Sequence, residues 1–224
     1  MSKKRIIACI VAVVVLAATI ASIFVILQHM TYTVNFYSDT NKLIKIETVK
    51  RGTAAEPPNE PSLTEGRIFT KWDRDFSKVK KNMDVLPEFE EYTGKENVIA
   101  MAGAYGKKGE EVFIPLRLCG DVNLTGLDII IEYDANALEL VSVYNVDGAV
   151  VYNADEKGKV RMNYISAENT EDEVDLCNLK FKIKAVSDNT QVKTSVEKIV
   201  SWNSEEKLIE PSYTLIDASV FVIA

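Results

Sequence analysis

Gly126-Leu127-Asp128-Ile129-Ile130-Ile131-Glu132-Tyr133-Asp134 is the stretch whose reading decides the fold. Side chains on a β-strand alternate between two faces, so Leu127, Ile129, Ile131 and Tyr133 form one apolar face. Gly126, Asp128, Ile130 and Glu132 form the other. The same alternation recurs at 160–166, where Val160, Met162 and Tyr164 point one way and Arg161, Asn163 and Ile165 the other. Two strands that each bury one face and wet the other belong to a sheet with a core on one side only. An isoleucine on each polar face, Ile130 and Ile165, is the pattern of apolar anchors inside a polar rim.

Outward from these strands, further short apolar or alternating runs lie at 98–102, 111–118, 138–143, 149–153, 176–184, 192–200 and 213–223, separated by Gly, Asn and Asp. No segment from 95 to 224 keeps a helical period for more than two turns. Many short strands at this spacing predict an all-β, two-sheet sandwich.

Upstream, 31–94 reads as a separate small module. It combines short strands at its start, three prolines between Ala54 and Pro61, and a compact aromatic group of Phe69, Trp72, Phe76 and Phe89. Trp72 can be read as a sugar-stacking residue. A minimal core needs its largest apolar side chain inside, which makes Trp72 a core residue instead.

Residues 1–30 set the compartment. Lys3, Lys4 and Arg5 precede a run over 6–27 without acidic or basic side chains, long enough to span a bilayer, for which about 20 residues suffice. Basic residues before the run place the N-terminus inside and the rest of the chain outside. A cleaved signal peptide cut after Ala21 is the competing reading, but it leaves a greasy new terminus. The expectation is therefore a single-pass cell-membrane protein with an extracellular C-terminal region.

Composition excludes several functions. Lys and Arg total 26 against 33 Asp and Glu, a net charge of -7, which argues against nucleic acid as partner. His29, the sole histidine, sits just after the apolar run, so no histidine-based triad or metal site can form in the exported part. No catalytic residues, metal site or cofactor are expected. The acidic run of Glu168, Glu171, Asp172, Glu173 and Asp175 reads as a solvated loop rather than a glycosidase pair. Cys119 and Cys177 fall on opposite alternation faces, which disfavours a bridge between them.

Several phrases together resemble the cohesin family: Gly109-Glu110-Glu111-Val112-Phe113-Ile114-Pro115-Leu116, the stretch quoted first, Asp134-Ala135-Asn136-Ala137-Leu138-Glu139-Leu140, and Leu179-Lys180-Phe181-Lys182-Ile183. Their order covers essentially all of 95–224. Ala135 stands where the family often has proline. The resemblance implies a jelly-roll sandwich that binds dockerins, and calcium carried by the dockerin rather than by this chain. It also implies partner contacts on the sheet of the first two strands: Asp128, Tyr152, Ile165 and Glu168, with Gly126 where the family often has asparagine. With the outward residues Ile130 and Asn163, the expected partner-binding set is Gly126, Asp128, Ile130, Tyr152, Asn163, Ile165 and Glu168.

In the first module, Thr64-Glu65-Gly66-Arg67-Ile68-Phe69-Thr70-Lys71-Trp72-Asp73, Asp75-Phe76-Ser77 and Met83-Asp84-Val85 resemble the Listeria-Bacteroides repeat, a small β-grasp-like surface module. Lys71 replaces the glycine that normally precedes the tryptophan. The resemblance implies a spacer lifting the distal domain off the membrane. Two other functions fit a sandwich: a structural adhesin, or a module binding polysaccharide through Tyr144, Tyr152, Tyr164 and Trp202.

Overall fold

The computed structural model describes residues 3–58, 61, 63–94, 96–120, 124–145, 149–167, 173–185, 189–203 and 205–223, with backbone alone for 3–9, 145 and 149. Helix α1 (Lys3–His29) is followed by β1 (Thr31–Tyr37), β2 (Leu43–Lys50), β3 (Arg67–Trp72), β4 (Met83–Val85) and β5 (Pro87–Glu91). The sandwich is built from β6 (Asn97–Met101), β7 (Ala104–Gly106), β8 (Glu111–Gly120), β9 (Gly126–Tyr133), β10 (Leu138–Asn145) and β11 (Ala149–Asn153). It is completed by β12 (Lys159–Ile165), β13 (Val174–Ile183), β14 (Asn189–Trp202), β15 (Leu208–Ile209), β16 (Tyr213–Ile216) and β17 (Ala218–Val222). Within α1, Ile10–His29 is apolar and long enough to cross a membrane.

Two sheets face each other, one in the order β10-β13-β8-β6-β16 and one in the order β11-β12-β9-β14-β17-β7, with β15 on β14. The inward residues expected of β9 and β12 all pack between them, against Ile114, Leu116, Leu179 and Phe181 of the facing sheet. The Tyr133 and Phe181 rings meet edge to face at 4.9 Å. The all-β sandwich read from alternation is therefore the observed architecture.

One expected strand is broken where the chain changes sheets. The run at 98–102 is β6, and the chain then crosses to β7 in the opposite sheet, a strand beyond the expected run; 213–223 divides into β16 and β17, which also lie in opposite sheets. β16 pairs β6 in parallel and β17 pairs β7 in parallel, so the first and last strands of the domain close both sheets together. At the second crossing Asp217 accepts the Thr194 amide at 2.7 Å. At the first, Gly103 donates to the Phe69 carbonyl at 3.0 Å, and a Cβ there would stand 2.1 Å from the Thr70 carbonyl oxygen. Only glycine allows the first module to approach this closely.

That module holds a three-stranded sheet, β2-β1-β4, and a two-stranded one, β3-β5. Its core contains Phe36, Phe69, Trp72 and Phe76, with Trp72 only 4% exposed, as expected of a core tryptophan. The same cluster takes in Ile223 from the end of the sandwich and packs on Tyr105 of β7. A second seam joins Ile68 and Tyr92 to Val98, Ala100 and Cys119 on the outer side of the five-stranded sheet. Cys119 thus points away from the main core, as its alternation indicates, yet is buried beneath the first module. Cys177 lies in the main core, and both thiols are free.

Candidate functional site

The outer face of the larger sheet is ordered in rows, because directly opposed residues of antiparallel strands share a face. β9 presents Gly126, Asp128, Ile130 and Glu132. Opposite them β12 sets Ile165, Asn163, Arg161 and Lys159, and β14 sets Val200, Lys198, Ser195 and Lys193. On the other side of β12, β11 brings Ala149 opposite Ile165, Val151 opposite Asn163 and Asn153 opposite Arg161.

The first row is apolar, running from Ile165, 66% exposed, through Gly126 to Val200. Gly126 is buried, and a Cβ there would lie 2.8 Å from Val200 Cγ2, so the valine covers the position that a larger residue would need. The second row places Val151, 68% exposed, beside a polar pair in which Asn163 Nδ2 donates to Asp128 Oδ1 at 2.7 Å. In the third, Arg161 lies 3.4 Å from Glu197, the extra residue of a bulge in β14. In the last, Lys159 pairs Glu132 at 3.2 Å and Glu156 at 3.5 Å. The hydrogen bond to Glu132, helped by the charge of Glu156, holds Lys159 above its ordinary pKa. The face is therefore apolar at one end and charged at the other.

Of the expected residues, Asn163 and Ile165 are exposed on this face, Asp128 and Ile130 half-buried, and Gly126 buried under Val200. Tyr152 requires a correction. It pairs with Met162, whose side chain is in the core, so it lies on the inner side of the sheet and is 46% exposed because β11 is an edge strand. Its neighbour Val151 occupies the outer face instead. Ala149-Val150-Val151-Tyr152 is apolar at both parities, so only the pairing of Val151 with Asn163 settles which side faces out. Glu168 lies outside the described residues.

Sequence reading also missed the extension of this face by the β14-β15 hairpin. There Trp202, in step with Val200, stands opposite Leu208, and the two are 39% and 57% exposed. The four aromatic residues considered for polysaccharide do not share a face. Tyr164 is buried, Tyr152 is on the inner side at the edge, Trp202 is on the hairpin, and Tyr144 is on the opposite sheet beside Phe113 at 6.4 Å.

On that far side of the sandwich, a cleft of about 1410 Å³ runs between the first module and the five-stranded sheet. An Arg117–Asp175 pair at 2.5 Å lines it. So does Glu173, which accepts from the Tyr92 hydroxyl at 2.6 Å and the Gly120 amide at 3.0 Å. Burial, with the Glu173 and Asp175 charges, pushes the Cys119 thiol up to about 11. No group of three potential metal ligands occurs among the described residues.

The chain is similar in fold to the seventh ScaB type I cohesin of Pseudobacteroides cellulosolvens, with a TM-score of 0.54 at 19% identity over 58% of this chain and 94% of that one. It is also similar to the structure of a type I complex of the OlpA cohesin with the dockerin Doc918 from Clostridium thermocellum, with a TM-score of 0.50 at 16% identity over 58% and 100%. No curated protein matches the sequence. The cohesin-domain family model matches residues 97–220, more than half of the chain and the whole of the sandwich up to β17, and the chain belongs to the cohesin family.

Proposed function

We propose that this chain is a non-catalytic receptor that captures dockerin-bearing proteins on the outer face of β11, β12, β9 and β14. The observation that carries the reading is the pair of exposed apolar side chains, Ile165 and Val151, set beside the hydrogen-bonded Asn163–Asp128 pair and bounded by Arg161, Glu132 and Lys198. Apolar anchors that lose water on contact, ringed by polar groups that fix register, are the anatomy of a specific protein interface. Family membership supplies the partner class. Calcium belongs to the dockerin, whose folded form it maintains.

The anchor completes the reading. α1 remains uncleaved as a single membrane span, the sandwich stands outside the cell, and the first module is a rigid stand-off between them. Detergent-solubilised full-length chain, immobilised and offered the dockerins encoded by the same genome, should retain at least one of them in calcium and release it in chelator. Retention of none, or retention indifferent to chelator, contradicts the function. External protease on intact cells should remove everything beyond α1, and full protection contradicts the topology.

A further inference from the structure

The foot of the first module is assembled from three segments far apart in the chain. α1 ends at His29 and β1 begins at Thr31, leaving Met30 as the sole connection. Thr31 pairs with Lys50, and the Arg51 amide donates to the Met30 carbonyl at 2.8 Å. The turn after β2 is tied to the loop before β4. The Gly52 amide donates to the Val79 carbonyl at 2.7 Å, and the Val79 amide to the Thr53 carbonyl at 3.0 Å. β4 runs parallel to β1, so this loop enters at the same end, where Asn82 Oδ1 accepts the Thr33 amide at 3.0 Å.

Folding therefore gathers Lys50, Arg51, Lys78, Lys80 and Lys81 around the exit of α1, all of them exposed. Among the described residues, the ion pairs of the chain engage other lysines and arginines. Lys78 adds its charge to Asp75, whose carboxyl is held low chiefly by hydrogen bonds from Ser77. Arg51 Nη1 donates to the Tyr32 hydroxyl at 3.4 Å, which sets an aromatic ring and a guanidinium together beside the end of the apolar helix.

A concentrated positive collar on a chain of net charge -7 is a local feature with a specific complement. We infer that this collar seats the first module on anionic phospholipid headgroups of the leaflet from which α1 emerges. Tyr and Arg are the usual anchors at that depth, and lysines near an anionic surface are attracted to it within a Debye length. The basic residues lie beyond the roughly 15–20 residues after a span that influence its orientation, so the collar does not oppose the orientation set by Lys3, Lys4 and Arg5. The inference rests on α1 being retained as an anchor.

Full-length chain in nanodiscs of phosphatidylcholine, or of equal parts phosphatidylcholine and phosphatidylglycerol, tests it through membrane-impermeant amine labelling read lysine by lysine. Labelling of Lys80 and Lys81 should slow about fivefold in the anionic discs, the equivalent of about 1 kcal/mol per lysine. High salt should reverse the slowing, and Lys157 on the sandwich should label equally in both discs. Equal rates at Lys80 and Lys81 in a chain that retains α1 overturn the collar alone. A chain that begins beyond α1 when purified from its cell overturns the anchor and the collar together.

Discussion

The backbone amide of Trp72 donates to the hydroxyl of Tyr105 at 2.8 Å, so a residue of the first module is held by a residue of the sandwich. The Tyr105 ring stacks on Phe221 at 4.7 Å and lies 5.6 Å from Phe76, so residues of the sandwich complete the core of the first module. Burial raises its hydroxyl pKa well above the ordinary tyrosine value. Tyr105→Phe leaves the Trp72 amide without its acceptor, a loss of about 1–3 kcal/mol for a buried donor. Calorimetry should show one cooperative transition for module and sandwich, shifted down in this variant. Two separate transitions, with the sandwich unmoved, would contradict the shared core.

Trp72→Ala removes the centre of an aromatic cluster in which Phe36 and Phe69 meet the indole edge to face at 5.2 and 5.3 Å. The expected loss is about 3–5 kcal/mol, the cost of deleting a large buried aromatic. Since Trp72 is held at the β7–β17 edge of the larger sheet, with β11, β12 and β9 at the other end of the strand order, dockerin affinity at a temperature where the variant is folded should be nearly unchanged. Titration calorimetry beside thermal melting separates the two effects. Loss of affinity in a folded variant would make the module part of the interface.

Asp39 gives the first module an acid limit. Burial alone would raise its carboxyl, but hydrogen bonds from Thr64 and Arg67 outweigh it and hold the group at about 2. The Arg67 guanidinium lies 2.7 Å away, pairs also with Glu91 at 2.8 Å and covers the Phe89 ring at 4.1 Å. A carboxyl depressed on folding stabilises the native state above its unfolded pKa, near 3.8, and that contribution is lost as pH falls toward 2. Asp39→Asn should therefore lower stability at neutral pH and flatten its decline between pH 4 and 2. An unchanged pH profile would remove Asp39 from the account.

The two cysteines of the sandwich should resist alkylation in the native state. Burial pushes the Cys177 thiol up to about 12 and is the leading cause of the shift at Cys119. Peptide mass spectrometry after native iodoacetamide treatment should find both unmodified, and both labelled after denaturation. Native labelling of Cys119 alone would show that the first module opens away from the sheet.

Alternation made the two sheets legible because β9 and β12 each bury one parity and wet the other, and the residues it assigned inward are the ones in the core. It could not say which strand lies beside which. The parity of β11 is ambiguous for that reason, and Tyr152, which the resemblance puts among the partner contacts, lies on the inner side of the sheet. Bulges at Leu176 and Glu197 shift the alternation partway along β13 and β14, so a run read as continuous changes face. The sheet crossings at Gly103 and Asp217, the burial of Cys119 and the basic collar all depend on contacts between distant segments. No local period reports them.

The central claim is that the face built on β9 and β12 takes the dockerin, and titration of full-length chain with its calcium-loaded dockerin tests it most directly. Ile165→Asp puts a charge at an exposed apolar anchor and should weaken binding by about 2 kcal/mol or more, roughly 30-fold, without moving the melting temperature. Phe113→Ala, at a side chain also exposed (54%) but on the opposite sheet, should leave affinity unchanged. Weakened binding in Phe113→Ala with none in Ile165→Asp would contradict the account.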